Sequence, residues 1–336
     1  MIKPGYLFAR LREMNYRQLF STISELHKKT GKSCVWLFAD ILRCGLRYGA
    51  GYKDYSFFQF YDLTPAQRAT YMTRGTNNRL VSMLNDRDYY HCVDDKVEFN
   101  RLYAKYVRRG WLDMRDTDEE SFRRFMERRE IIISKPLAES CGRGIEKLDK
   151  KDFADLHAMY EHLKQSGAAL IEDCIVQHPD IAALYPGSVN TYRIVTVRVD
   201  GVPNVVYAFI RIGNGGNFVD NLNAGGITAR IRLEDGTIWY PGYDINDNVY
   251  EIHPATGCRL VGYRLPFWQE SMQMCLEATV VVPQLGYVGW DVAVGEDGPQ
   301  LIEGNFFPGN GFLPVPPDTP NREGMLPRFR QFVKDL

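Results

Sequence analysis

Gly289-Trp290-Asp291-Val292-Ala293-Val294, then Gly295 to Pro299, then Gln300-Leu301-Ile302-Glu303-Gly304-Asn305, reads as two strands around a turn. Side chains alternate along a strand, so Glu303 and Asn305 share one face. With Gly295 to Pro299 taken as the loop, Asp291 stands opposite Glu303. Three oxygen donors then meet on one patch. A hard cation such as magnesium takes oxygen ligands, whereas two carboxylates brought together without a cation repel. The competing reading is a solvated hairpin. The apolar flanks Trp290, Val292, Leu301 and Ile302 weigh against it.

Upstream, Lys96 and Lys135 are the candidate phosphate contacts. Lys135 closes the apolar run Ile131-Ile132-Ile133-Ser134 and precedes Pro136 and a glycine loop, Gly142-Arg143-Gly144. An ammonium at a strand end neutralises phosphate charge, and glycine lets the backbone approach it. The competing reading of each lysine is a solvated surface residue, for Lys96 one in the first turn of a helix, and the loop alone is a weak signal because many turns look like it. Glu172-Asp173-Cys174-Ile175 follows the apolar run Ala168–Ile171 and is either a plain loop or a crossing segment whose backbone meets an adenine edge. Arg193 and Arg211 fall on the two strands of one expected hairpin around Asp200-Gly201, where they either face a cleft and bind an oxyanion or face water. Asn221 and Asn223 with Gly225-Gly226 form either a turn or a backbone cradle.

The chain has 336 residues, 45% hydrophobic and 25% charged, enough for two or three packed units around one cleft. Seven widely spaced cysteines without C-x-x-C weigh against a disulfide framework or a zinc site. No targeting segment is read at Met1–Gly5, and the longest uncharged apolar-rich run, Ala278 to Trp290, is too short to cross a bilayer. A cytoplasmic protein without a nucleic-acid partner is therefore expected. Gly31-Lys32-Ser33 lacks the upstream glycine of a Walker A loop, and no dinucleotide, protein-kinase or nucleophile-elbow signature is present.

Residues 1–53 carry ten Lys/Arg against Glu13, Glu25 and Asp40, a net of +7, which leaves about −8 for the rest. This basic, aromatic-rich head is either a solvated helical surface or a meeting place for an anionic partner. Helices are expected over Tyr16–Lys29 and Ser33–Leu46, the second with Val35, Phe38 and Leu42 on one face. Asp95 is expected to cap a helix carrying Phe99, Leu102, Tyr103 and Tyr106, and Thr117 to Glu120 to form a capping box. Helices mixed with antiparallel hairpins predict an α+β fold.

Taken in order, Asp95-Lys96, Ile133-Ser134-Lys135-Pro136, Gly142-Arg143-Gly144, Glu172 to Ile175, Asn190-Thr191-Tyr192-Arg193, Asn221 with Gly225-Gly226, Asp291 and Glu303-Gly304-Asn305 resemble the ATP-grasp superfamily over about residues 92–312. With Val176-Gln177-His178-Pro179 added, the string looks closest to the sugar-transfer associated ATP-grasp proteins. It is also similar to the glutamate-adding, RimK-like ligases around Arg193, Arg211 and Asn221 to Gly226. The resemblance implies two α+β lobes clasping ATP, a smaller one over 93–169 and a larger one over 170–336, after a helical region 1–92. Lys96, Lys135 and Gly142-Arg143-Gly144 would meet the phosphates, and Glu172-Asp173-Cys174-Ile175 the adenine. Asp291, Glu303 and Asn305 would hold one or two magnesium ions, or manganese. Arg193, Arg211 and Asn221 would act on the reacting groups.

The implied chemistry is a ligase that activates a small-molecule carboxylate as an acylphosphate and joins it to an amine or other nucleophile. Its expected setting is the biosynthesis of a peptide-like or glycan-linked metabolite, with an anionic or sugar-linked acceptor at the basic head. The alternative is a kinase of the same fold acting on a sugar or other hydroxyl. Residues 1–90 do not read as the Rossmann-like unit many relatives carry, and Ala224 stands where glutamate-adding relatives place a basic residue.

Overall fold

A computed structural model describes residues 15–136, 144–215, 225–246, 248–309 and 321–336. The chain divides into two compact units, one of Met1–Met83 with Gly309–Leu336 and one of Leu84–Pro308. The expected helical region 1–92 and lobes 93–169 and 170–336 are divided differently here: the first boundary falls after Met83, the two lobes form one unit, and Gly309–Leu336 goes with the first unit. Among the described residues no helix is long and apolar enough to cross a membrane.

In the first unit, helix Tyr16–Thr30 starts at Asn15, whose side chain accepts from Gln18 N at 3.0 Å, and stops at Gly31. Helix Cys34–Tyr48 starts at Ser33, whose hydroxyl accepts from Trp36 N at 3.2 Å, and stops at Gly49. Both glycines have positive φ, the conformation that ends a helix most cheaply in a residue without Cβ. The buried face of the second helix is Leu37, Asp40, Ile41 and Cys44. The expected face of Val35, Phe38 and Leu42 is instead the outer one, with Val35 81% exposed. Asp40 lies inside because Arg68 reaches it with two bonds of 2.8 and 2.7 Å, and Tyr55 Oη donates to it at 2.7 Å. Arg68 Nε also donates to Phe60 O at 2.9 Å, so both charges are satisfied.

The second unit is built on two sheets. The smaller has the order β1-β4-β2-β3, with β1 Trp111–Asp113, β2 Ile131–Pro136, β3 Glu146–Asp149 and β4 Ala168–Asp173. One face packs Ile132 and Ile171 against Phe122 and Met126 of helix Glu119–Met126 and Met159 and Leu163 of helix Leu156–Gln165. The larger sheet has the order β11-β10-β5-β6-β7-β8-β9. Its strands are β5 Thr191–Val199, β6 Val202–Ile212, β7 Ile227–Arg230, β8 Gly242–Tyr243, β9 Val249–Tyr250, β10 Tyr287–Gly295 and β11 Gly298–Asn305. Tyr192, Ile194, Ile210, Trp290 and Val292 form its core face with Trp268, Met274, Cys275 and Ala278 of helix Trp268–Ala278. Alternation therefore sends Arg193, Arg211 and Asp291 to the other face.

Three local expectations change. Leu102 is 41% exposed while Phe99, Tyr103 and Tyr106 are buried. The helix cap is Asp118, which accepts from Ser121 N at 2.8 Å, while the Thr117 hydroxyl donates to Asp113 O. The strand expected over Ala168–Ile171 runs on through Asp173, so Glu172 and Asp173 belong to β4 and not to a linker.

Asp40→Ala would leave the Arg68 guanidinium buried without its counter-charge. We expect a loss of about 3–5 kcal/mol from the helical unit, seen as an earlier transition in urea by circular dichroism. An unchanged midpoint would show that Arg68 finds solvent or another partner.

Candidate active site

The hairpin β10–β11 closes more tightly than expected. Gly295 pairs with Gly298, leaving Glu296 and Asp297 as the turn. Continued regularly, that register would set Asp291 against Ile302 and turn Glu303 toward the core. A bulge prevents this: Val292 pairs with Leu301 but Asp291 with Glu303, so Ile302 is the extra residue. Gly289 then faces Asn305, and Asn305 Nδ2 donates to Glu303 Oε1 at 3.3 Å. Gly304 points the other way, where a Cβ would lie 3.1 Å from Val93 and 3.2 Å from Trp290. The glycine in Glu-Gly-Asn is thus a packing requirement of the core side.

Asp291 is 2% exposed on a strand between β5 and β11. β5 sets Arg193 directly opposite it, and Arg193 clasps it with Nε and Nη2, the latter at 3.0 Å. Arg211, one strand further on β6, reaches the same carboxylate with Nη2. Gly289 makes room, since a Cβ there would meet Arg193 Cδ and Nη1 at 3.2 Å. Burial opposes the Asp291 charge, yet the two guanidiniums hold its carboxyl well below the usual carboxylate range. Burial and the neighbouring Asp291 charge push Glu303 the other way, up to about 7. The donor set suits a divalent cation. It is all oxygen, and a cation beside Glu303 would relieve the repulsion that keeps it protonated.

The smaller sheet contributes a second charged group. Lys135 on β2 and Arg109 both pair with Glu172 on β4, which is 2% exposed. Burial works against the Glu172 charge, but Arg109 and Lys135 together lower its pKa. Arg109 also joins the sheets. Its Nε donates to Glu172 Oε2 at 2.9 Å, and its Nη1 donates to Leu301 O of β11 at 2.6 Å. Lys96 opens helix Lys96–Leu102, which Asp95 caps by accepting from Val97 N and Glu98 N. Burial lowers the Lys96 pKa, Lys135 lowers it further, and Glu303 acts in the opposite sense. Lys96, Lys135 and Glu303 therefore share one electrostatic neighbourhood between the two sheets.

The sequence-derived residues divide accordingly. Asp291, Glu303, Asn305, Arg193 and Arg211 come together on the large sheet, Lys135 lies on the small sheet against Glu172, and Lys96, at the start of a helix, is coupled electrostatically to Glu303 and Lys135. Arg193 and Arg211, expected to face a ligand oxyanion, here hold Asp291. Glu172 and Asp173, expected at an adenine, are strand residues committed elsewhere. Glu172 holds Lys135, while Asp173 accepts from Gly110 N at 2.7 Å and pairs with Arg129. Cys174 and Ile175 follow β4 and are half-buried. Gly144 is exposed, with φ +67°. Gly142, Arg143 and Asn221 lie outside the described residues.

Sequence reasoning missed Arg109 and Asn85, and named Asn190 only as part of a motif, without its bracing role. Asn190 Nδ2 donates to Tyr185 O at 2.8 Å and its Oδ1 accepts from Gly213 N at 2.9 Å, tying the start of β5 to the end of β6. Asn85 Nδ2 donates to Tyr287 O and Phe306 O, each at 2.7 Å, and so ties the ends of the β10–β11 hairpin. The only sequence signal for Arg109 was its place before Gly110, where a Cβ would collide with Arg129 and Asp173.

Two α+β layers, each turning a charged face to a common cleft, define the ATP-grasp class of fold. The chain belongs to the sugar-transfer associated ATP-grasp family, whose model matches residues 75–334. Among solved structures it is similar to the ATP-grasp ligase PsnB complexed with a phosphomimetic variant of minimal precursor, Mg and ADP. That likeness has 16% identity and a TM-score of 0.43, covering 80% of this chain and 67% of that one. PsnB complexed with minimal precursor, Mg and ADP gives 16% and 0.37, covering 73% of this chain. The chain spans 61% of that PsnB chain, under two thirds of its length. D-alanyl-alanine synthetase A from Vibrio cholerae O1 biovar eltor str. N16961 is similar at 12% identity and a TM-score of 0.41, covering 78% and 68%. The search of curated proteins gave no match.

Glu172→Ala would bury two cations without their shared anion. The expected cost is about 3–5 kcal/mol, measured by chemical denaturation at neutral pH. Glu172→Gln tests the sign of the linkage. The folded pKa is depressed, so the carboxylate's contribution is full above the ordinary glutamate range and fades as pH falls through the folded value. Wild type should therefore lose stability relative to Glu172→Gln below about pH 4, and parallel acid limbs would contradict this.

Proposed function

We propose that the protein is an ATP-dependent ligase that activates a carboxylate and joins it to an amine or another nucleophile. The observation that carries this reading is the opposed pair Asp291 and Glu303, with Arg193, Arg211, Lys96 and Lys135 gathered about the same cleft. Three cations around two carboxylates leave a surplus of positive charge, and Lys135 adds another whose charge Glu172 offsets. Such a site attracts a polyphosphate. Asp291, Glu303 and Asn305 would hold magnesium, which when bound neutralises charge on the phosphates.

The chain's own residues supply positioning. Glu172 fixes Lys135, whose ammonium would meet phosphate oxygens from the small-sheet side, with Lys96 beside it. Backbone groups after Asp173, at Cys174 and Ile175, would meet adenine. A substrate carboxylate oxygen attacks the γ-phosphorus, the bond to the ADP oxygen breaks, and an acylphosphate forms. The nucleophile then adds to the acyl carbon and inorganic phosphate leaves. Arg211, held by Asp291 and donating from Nε to Thr191 Oγ1 at 3.2 Å, would offer a fixed donor to the developing oxyanion.

The test is magnesium-dependent ATP turnover with pooled carboxylic acids, amines and sugars, following ADP and phosphate separately. Equal amounts of both, requiring a carboxylate and a nucleophile, support the ligase. ADP without phosphate, with a phosphorylated hydroxyl, overturns it in favour of a kinase. Glu303→Gln should lower kcat by roughly 100-fold or more with unchanged circular dichroism. Full activity in that variant would remove Glu303 from the site.

A further inference from the structure

Helix Cys34–Tyr48 is apolar on two sides. Its inner side is spent on Leu37, Ile41 and Cys44, as described above. Its outer side carries Val35, Phe38, Leu42 and Leu46, spaced three and four apart and so in one line. Val35 is 81% and Leu46 54% exposed, with Trp36 and Phe38 also open to solvent. Phe20, 58% exposed on helix Tyr16–Thr30, stacks on Phe38 with ring planes 9° apart at 6.3 Å and widens the line into a flat two-helix surface. Isolated exposed apolar side chains need no explanation, but a contiguous aromatic and aliphatic patch marks an interaction surface.

Charge identifies the occupant. Residues 15–53 hold seven Lys/Arg against Glu25 and Asp40. Asp40 is buried and already paired with Arg68. Exposed anions on these two helices therefore reduce to Glu25, while Arg17, Lys28, Lys29, Arg43 and Arg47 are exposed. Lys32 lies over the Trp36 ring at 5.4 Å and pairs with Asp62 at 3.2 Å, so the excess positive charge rests on the arginines and lysines of the two helices. A second copy docked on this face by a two-fold axis would bring two cation-rich rims together with little anionic charge on these helices to pair them. An aromatic and aliphatic strip edged by cations, on the flat outer side of two helices, has the chemistry of a segment lying in the interface of an anionic bilayer.

We infer that the outer face of helices Tyr16–Thr30 and Cys34–Tyr48 binds the surface of a membrane containing anionic phospholipid. This holds whatever reaction the cleft performs. Val35, Phe38 and Leu46 enter the headgroup boundary while Arg43 and Arg47 meet lipid phosphates.

The experiment is co-sedimentation of the full chain with vesicles of phosphatidylcholine alone and with one third phosphatidylglycerol, at low and high salt. The expected result is binding to the anionic vesicles only, weakened by salt. Val35→Asp with Leu46→Asp should weaken partitioning at least roughly tenfold. Arg43→Gln with Arg47→Gln should weaken it roughly fivefold per cation removed. ATP turnover and circular dichroism should stay unchanged in both double variants. No binding to anionic vesicles at millimolar lipid would overturn the inference. So would equal binding by the variants, or a wild-type dimer in sedimentation velocity that Val35→Asp disperses.

Discussion

Asp291 is a carboxylate set on an inner strand of the large sheet, and a bare charge there would be expelled or neutralised. What keeps it ionised is the pair of guanidiniums from the next two strands, Arg193 and Arg211. This clasp organises the surrounding sheet. It requires β5 beside β10 and β6 beside β5 in a register that places all three side chains on one face. It requires Gly289, because a side chain there would take the space of Arg193. It also sets the state of Glu303, which faces a neighbour that is always charged and so holds its own proton up to about 7. Replacing a whole buried cluster of this kind by well-packed apolar residues is often harmless to stability, although removing one member alone is costly. Two arginines aimed at one buried acid are thus better understood as the frame of a site than as a device for holding the sheet together.

A second buried acid does a related job on the other side of the cleft. Glu172 is held by Arg109 and Lys135, and Arg109 extends to the carbonyl of Leu301 on the large sheet. The small sheet is thereby tied to the strand that carries Glu303. Position and charge are coupled: the residues that orient Lys135 also determine how far it stands from Lys96 and Glu303.

The helical unit follows a different logic. Its one buried ion pair, Asp40 with Arg68 among the described residues, fixes the helix packing and turns an apolar strip outward. The periodicity of Val35, Phe38 and Leu42 was legible, but which side faced inward was not. A helix with apolar residues on both sides carries no single direction, and Asp40 on the buried side points the wrong way unless its arginine partner is known.

The sequence by itself determined that helices mix with antiparallel hairpins and that Asp291, Glu303 and Asn305 lie close together. Alternation along a strand is a local property, and apolar flanks indicate a buried setting. Family resemblance added the order of the remaining elements. The tertiary structure decided the rest. Asp291 meets Glu303 through a bulge at Ile302 after a tight turn, not through the longer loop the spacing suggested. Glu172 and Asp173 extend a strand and pair with cations, because β1 and β2 flank them from distant parts of the chain. Arg109, Asn85 and Asn190 act through partners far away in sequence or through backbone carbonyls. Neither kind of contact leaves a periodic trace, because burial and pairing of charge depend on what folds against a residue rather than on what precedes it.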